Sequence, residues 1–252
     1  MNLAMDRGGT GERLLVLLHG LAATRQVWRP MLRSAGDRWR GSWIAPDLRG
    51  HGASAHAAGY ALGSHAADIG ELVLGSGNWR KVVVLGHSMG GAVALALASG
   101  RFGFTPAPVF GLGIKVAWSD EERAGMQRIA STTPRHFAAE AEAAERYLKI
   151  AGLSGFVASD CLEATAGIRE TEHGWRLAYD PAAASIGPPP MQALLAAAPC
   201  PIHLARGETD ALVTRDQLRV HDPNAENIPG AGHNAMVETP DAVWSWVTRH
   251  AQ

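Results

Sequence analysis

The stretch Val82-Val83-Val84-Leu85-Gly86-His87-Ser88-Met89-Gly90-Gly91 constrains this chain more than any other. Its apolar, mostly β-branched opening reads as a short buried strand. A serine flanked by glycines follows, and then Ala92-Val93-Ala94-Leu95-Ala96-Leu97-Ala98, rich in helix formers and free of breakers. Strand, sharp turn and helix form the setting in which Gly-x-Ser-x-Gly is a nucleophile elbow rather than an ordinary glycine-rich turn. In such a turn Ser88 occupies a strained backbone position within reach of a substrate. Gly86 and Gly90 lack the Cβ atoms that would clash, and Gly91 lets helix and strand pack closely.

The strands on either side of the elbow set the fold class. Leu14–Leu18 is a continuous apolar run ending in His19-Gly20, as expected of a parallel strand covered on both faces. Helical spacing over Thr24–Ser34 leads to a short strand at Ser42–Ala45 and a polar loop, Pro46–Ser54. A helix capped by Ser64 and running to Leu74 precedes the elbow strand, and Val109–Leu112 follows its helix. This alternation is the signature of a doubly wound, mostly parallel sheet with helices on both faces. From Lys115 to Gly187 the rhythm breaks: no strand-like run appears, and helices are expected at Asp120–Ala130, Thr133–Ile150 and Ser159–Ile168. The expected organisation is therefore a core of residues 1–114 and 188–252 interrupted by a helical lid, 115–187. Helix Met191–Ala198, strands Pro201–Arg206 and Ala225–Ile228, and a helix from Thr239 through Val247 complete the core.

Composition removes several function classes. With 23 Lys and Arg against 24 Asp and Glu in 252 residues, there is no basic surplus for nucleic acid or an anionic membrane. No apolar run approaches the roughly 20 residues needed to span a bilayer, and the N-terminus lacks a secretory pattern. Cys161 and Cys200 provide neither a disulfide framework nor metal-ligand spacing, which points to the cytoplasm. A small-molecule substrate is expected, without metal or cofactor; the oligomeric state is not legible.

A serine hydroxyl needs a base, and the base needs an orienting group. In open parallel sheets such partners collect just after the carboxyl ends of strands. Asp210 in Gly207-Glu208-Thr209-Asp210 and His233 in Gly230-Ala231-Gly232-His233 both lie there, with Glu208 and Asp180 as alternative acids. His87 and His51 read first as structural histidines.

Together with His19-Gly20 and Asp47-Leu48-Arg49-Gly50-His51-Gly52-Ala53-Ser54, these motifs resemble the lid-bearing α/β-hydrolases: carboxylesterases, enol-lactonases, carbon–carbon bond hydrolases and cofactor-free haloperoxidases. The resemblance spans nearly the whole core. It implies Ser88 as nucleophile, His233 as general base and then acid, Asp210 as the orienting carboxylate, and the backbone N–H groups of Leu21 and Met89 as the oxyanion hole. In the lid, Trp118, Phe137 and Trp175 are candidate pocket residues. The leading expectation is a serine hydrolase of a small, largely apolar ester, lactone or thioester. Carbon–carbon cleavage of a diketone-like acid stands as an alternative, with Lys115, Arg123, Arg128, Arg135 and Arg176 as candidate cations. A hydrolase-fold ligand receptor with slow turnover is a third reading.

Overall fold

The computed structural model describes residues 1–251. Its strands are β1 Met5–Gly9, β2 Arg13–Leu18, β3 Ser42–Pro46, β4 Lys81–His87, β5 Val109–Leu112, β6 His136–Phe137, β7 Ile168–Thr171, β8 Gly174–Leu177, β9 Ile202–Gly207 and β10 Glu226–Ile228. The α-helices are α1 Arg29–Arg33, α2 Leu62–Ser76, α3 Met89–Leu97, α4 Asp120–Ala130, α5 Glu140–Ile150, α6 Leu162–Thr165, α7 Met191–Ala196, α8 Arg215–Arg219, α9 Ala235–Glu238 and α10 Pro240–His250. Seven strands form the main sheet in the order β1-β3-β2-β4-β5-β9-β10, all parallel except β1.

The apolar runs are continuous because both faces of each central strand are covered. Leu15 and Leu17 of β2, Val83 and Leu85 of β4, and Phe110 of β5 join one core with α10. Leu14, Val16 and Leu18, Val82 and Val84, and Val109 join the other, against α2 and α3. On the first face, Trp246 meets Phe110 edge-on at 5.0 Å, and Trp244 donates its indole N–H to Met31 O at 2.6 Å. Among the described residues no helix is long and apolar enough to cross a membrane.

Two sequence expectations need correction. The segment 115–187 is not all-helical: β6, β8 and β7 form a three-stranded antiparallel sheet within it. These strands are two to four residues long and mix charges with single apolar residues, so they carry no apolar run. The helices expected at Thr133–Ile150 and Ser159–Ile168 shrink to α5 and α6 accordingly. β1 was also invisible, because an antiparallel edge strand of sequence MDRGG lacks a strand pattern. Locally, α2 starts at Leu62, two residues before the expected Ser64 cap.

The 115–187 segment is joined to the main body by a shared core and by hydrogen bonds. Phe137, Ala144, Tyr147, Leu148 and Ile168 belong to the same core cluster as β2 and β4. The end of β8 also binds the 47–54 loop: Gly52 N–H donates to Ala178 O at 2.6 Å, Asp180 N–H to Gly50 O at 2.8 Å, and Arg169 to Gly52 O at 2.6 Å.

His19, His51, His65 and His87 are all buried. Burial pushes His19 down to about 4 and the other three down to about 3. The folded chain therefore stays unprotonated at these rings while the unfolded chain, with ordinary histidines near 6.5, takes up protons. Stability is complete above that value and declines as the pH falls towards the folded values, by up to roughly 1.4 kcal/mol per histidine per pH unit. Urea unfolding between pH 7.5 and 5 should show a midpoint that drops steeply below pH 6.5; a flat midpoint would contradict the neutral burial of these rings.

Candidate active site

Ser88 lies between β4 and α3 with φ 51° and ψ −116°. No alternative packing relieves it. A Cβ on Gly86 would lie 2.1 Å from Gly90 O, and one on Gly90 would lie 2.3 Å from Leu18 O. The Ser88 N–H donates to Leu112 O at 2.8 Å, which pins the turn to β5. Among the described residues the one other non-glycine with a positive φ is Ala22, at 59°, in the turn after β2. Strained backbone thus occurs at two neighbouring turns, a pattern typical of functional sites.

The β2 turn is held from below. His19 Nε2 accepts the Leu48 N–H at 2.9 Å, so the proton sits on Nδ1, which donates to Gly20 O at 2.8 Å. Asp47 accepts the backbone N–H groups of Arg25 and Ala53, each at 2.8 Å, and the Arg25 guanidinium. Gly52 is required there, since a Cβ would fall 2.1 Å from Asp47 Oδ2. Gly20 sits tightly against the elbow, where a Cβ would be 3.3 Å from Ser88 Cβ. Leu21 and Met89 both line the cavity above Ser88. Met89 opens α3, where an N–H has no intrahelical acceptor.

His233 donates Nδ1–H to Asp210 Oδ2 at 2.9 Å. Asp210 is buried, and its Oδ1 accepts the Leu212 N–H at 2.8 Å. Burial alone would raise its pKa, but the hydrogen bond and charge of His233 outweigh it and hold the carboxyl below its ordinary value. His233 and Ser88 line one cavity, although no hydrogen bond joins their side chains among the described residues. The alternative acids lie elsewhere: Glu208 accepts the Gly230 N–H at 2.9 Å, and Asp180 accepts the Tyr60 hydroxyl at 2.6 Å. His51 donates to Arg49 O at 2.9 Å, beneath the 47–54 loop.

Sequence reasoning did not place the neighbours of His233. His87 Nε2 donates to His233 O at 2.9 Å, and the two rings lie 4.6 Å apart. Glu238 accepts the N–H groups on both sides of His233, Gly232 at 2.6 Å and Asn234 at 2.9 Å. Asn234 Nδ2 reaches Ala151 O and Gly152 O, each at 3.0 Å, linking this loop to the 115–187 segment. Gly113, with φ 62°, closes the far side, where a Cβ would lie 3.3 Å from His233 Cε1. Gly113 follows β5, so the strand-end rule that marked Asp210 and His233 could have found it.

The cavity holds about 820 Å³, within the range of roughly 300–1,000 Å³ that accommodates small-molecule ligands. Of the expected pocket aromatics, Trp118 lines it. Phe137 and Trp175 do not: they pair with each other across β6 and β8 and pack into the core. Of the candidate cations only Lys115 lines the cavity, and it is paired with Glu122 at 2.8 Å. Arg123 donates to Trp118 O and Arg135 lies over Phe137. No group of three or more His, Cys, Asp or Glu among the described residues is placed to hold a metal ion.

Residues 15–246 match the model of the alpha/beta hydrolase family. The chain belongs to that family. It is 30% identical over 247 residues to 2-succinyl-6-hydroxy-2,4-cyclohexadiene-1-carboxylate synthase of Klebsiella pneumoniae, covering 96% of this chain and 95% of that protein. Some matches are local: the magnesium-chelatase 30 kDa subunit of Rhodobacter capsulatus is 40% identical over 96 residues, about a third of each protein. Murine epoxide hydrolase 4 is 38% identical over 94 residues, a quarter of its length. Among solved structures, E-2-(acetamidomethylene)succinate hydrolase superposes with a TM-score of 0.78 at 24% identity, over 99% of this chain and 94% of that one. The thioesterase domain from the curacin biosynthetic pathway gives 0.77 at 20%, over 97% and 94%. These two share the α/β-hydrolase fold.

If the Glu238 clamp orders the His233 loop, Glu238→Ala should lower the unfolding free energy by about 1–3 kcal/mol, because two backbone donors lose a charged acceptor. Equal urea midpoints for variant and wild type would show the clamp to be idle.

Proposed function

We propose that this α/β-hydrolase is a serine hydrolase that cleaves a small, largely apolar carboxylic ester, lactone or thioester through an acyl-enzyme on Ser88. The observation carrying this reading is the Asp210–His233 hydrogen bond at 2.9 Å, which orients the histidine lining the same cavity as the strained Ser88. The Asp210 bond fixes the proton on Nδ1 and leaves His233 Nε2 as the basic nitrogen. Serine–histidine contacts of this kind often shorten only when substrate closes the site.

In the first step Ser88 Oγ attacks the carbonyl carbon while its proton passes to His233 Nε2. The resulting oxyanion accepts the N–H groups of Leu21 and Met89, donors each worth about 10²–10³ in rate in comparable sites. Asp210 stabilises the imidazolium without taking its proton. Collapse breaks the bond to the leaving group, which receives the proton from His233. Water, deprotonated by His233, then attacks the acyl carbon and releases the acid with Ser88 restored.

The full-length likeness to a synthase named for a carboxylate product favours an acidic substrate, and with it carbon–carbon cleavage of a diketone-like acid as the second reading. A substrate carboxylate needs a cation, however, and Lys115, the one candidate cation at the cavity, is already neutralised by Glu122. The ester reading is therefore preferred.

A fluorophosphonate probe should label the wild type once per chain. Ser88→Ala should abolish labelling and lower turnover of short p-nitrophenyl esters by at least about 10⁴-fold. His233→Ala should cost about as much, and Asp210→Asn the same or less. Retained turnover in Ser88→Ala contradicts the acyl-enzyme; fast labelling with negligible turnover on a broad panel favours the ligand receptor.

A further inference from the structure

The geometry points to a substrate class: an uncharged ester with a linear, medium-length apolar acyl chain that runs from Ser88 to an apolar rim at the cavity mouth. This inference rests on the acyl-enzyme reading above.

Eight large apolar side chains are exposed among the described residues, and four of them line this one cavity: Ile129 (44%), Ile150 (40%), Phe156 (56%) and Leu212 (51%). Exposed apolar residues scattered singly need no explanation, but a cluster around one opening marks a binding surface. Leu212 connects the rim to the chemistry directly, because its N–H is held by Asp210 Oδ1. The other three come from the 115–187 segment.

Helix α4, which carries Ile129, extends the same point. A capping box between Ser119 and Glu122 fixes its start, yet none of its residues is buried by the protein. Met126 and Ile129 follow Glu122 at helical spacing, and all three line the cavity. The Pro181–Ile186 turn packs against α4 but buries none of its residues fully, so the apolar side that faces the cavity lacks part of the burial that normally stabilises an amphipathic helix. The cavity is continuous with Ser88, so the occupant that supplies this burial is the chain of the molecule being cleaved.

Charge selects against ionic substrates. Lys115 and Glu122 neutralise each other at 2.8 Å. Both carboxylate oxygens of Glu238 are taken by the N–H groups of Gly232 and Asn234. A carboxylate on the acyl chain would be desolvated without a partner, which is strongly unfavourable.

The test is a series of p-nitrophenyl esters from acetate to decanoate, with p-nitrophenyl hemiglutarate as the charged member. Each buried methylene contributes up to roughly a fourfold factor, so kcat/KM should rise about 100-fold or more from acetate to octanoate. The hemiglutarate should fall well below the neutral ester of equal length. In the double variant Ile129→Ser/Phe156→Ser the octanoate-to-acetate ratio should drop about tenfold, as expected when two apolar contacts are lost. That ratio is measured within one preparation, so the folded fraction cancels. A wild type that hydrolyses acetate and octanoate equally, or prefers the hemiglutarate, overturns the inference while leaving the acyl-enzyme intact. An unchanged ratio in the variant overturns the rim's role. No hydrolysis of any member, with no labelling of Ser88, overturns both readings.

Discussion

Backbone touches backbone where Gly86 meets Gly90, and the rest of the site depends on that contact. A single added Cβ at either position would lie 2.1–2.3 Å from a carbonyl oxygen, of Gly90 in one case and of Leu18 in the other. The chain can turn this sharply only with glycine at both places, and the turn forces Ser88 to φ 51°. Closeness to Leu18 also places the β2 turn beside the elbow, so that Leu21 and Met89 border one cavity. The steric requirement that strains the serine is thus the one that brings Leu21 and Met89 to the same cavity.

A second layer keeps these turns in place, and it is built from neutral buried polar groups. His19 ties the β2 turn to Leu48, and His87 ties the elbow to the backbone of His233. Burial keeps both rings unprotonated. Each can therefore hold one fixed tautomer, His19 with both ring nitrogens bonded and His87 through Nε2, with no added charge near Ser88. Glu238 does the corresponding work for the loop after β10, using its charge on backbone donors. The cavity above is left with mutually cancelled charges and an apolar wall.

How much of this could be read from sequence follows from what each residue packs against. β2, β4 and β5 were legible because they are covered on both faces, which demands an unbroken apolar run. β1 and β6–β8 were not, since an edge strand and the short strands of a small three-stranded sheet tolerate charges and glycine. Ser88, Asp210 and His233 stood out through their places after strands, and the structure brings the aspartate and histidine into contact. Phe137 and Trp175 failed as pocket residues because an aromatic in the 115–187 segment fits its core as well as a cavity; of the three expected aromatics only Trp118 faces the cavity. Glu238 and Asn234 act through backbone hydrogen bonds, which leave no mark in residue type or spacing.

The central claim is that a covalent bond forms at Ser88, and it can be observed directly. Acid quenching during steady turnover of a short p-nitrophenyl ester, followed by peptide mass spectrometry, should find an acyl group on the peptide containing Ser88, at no more than one per chain. Continued turnover with that peptide unmodified, or with the acyl group on another residue, would contradict the account.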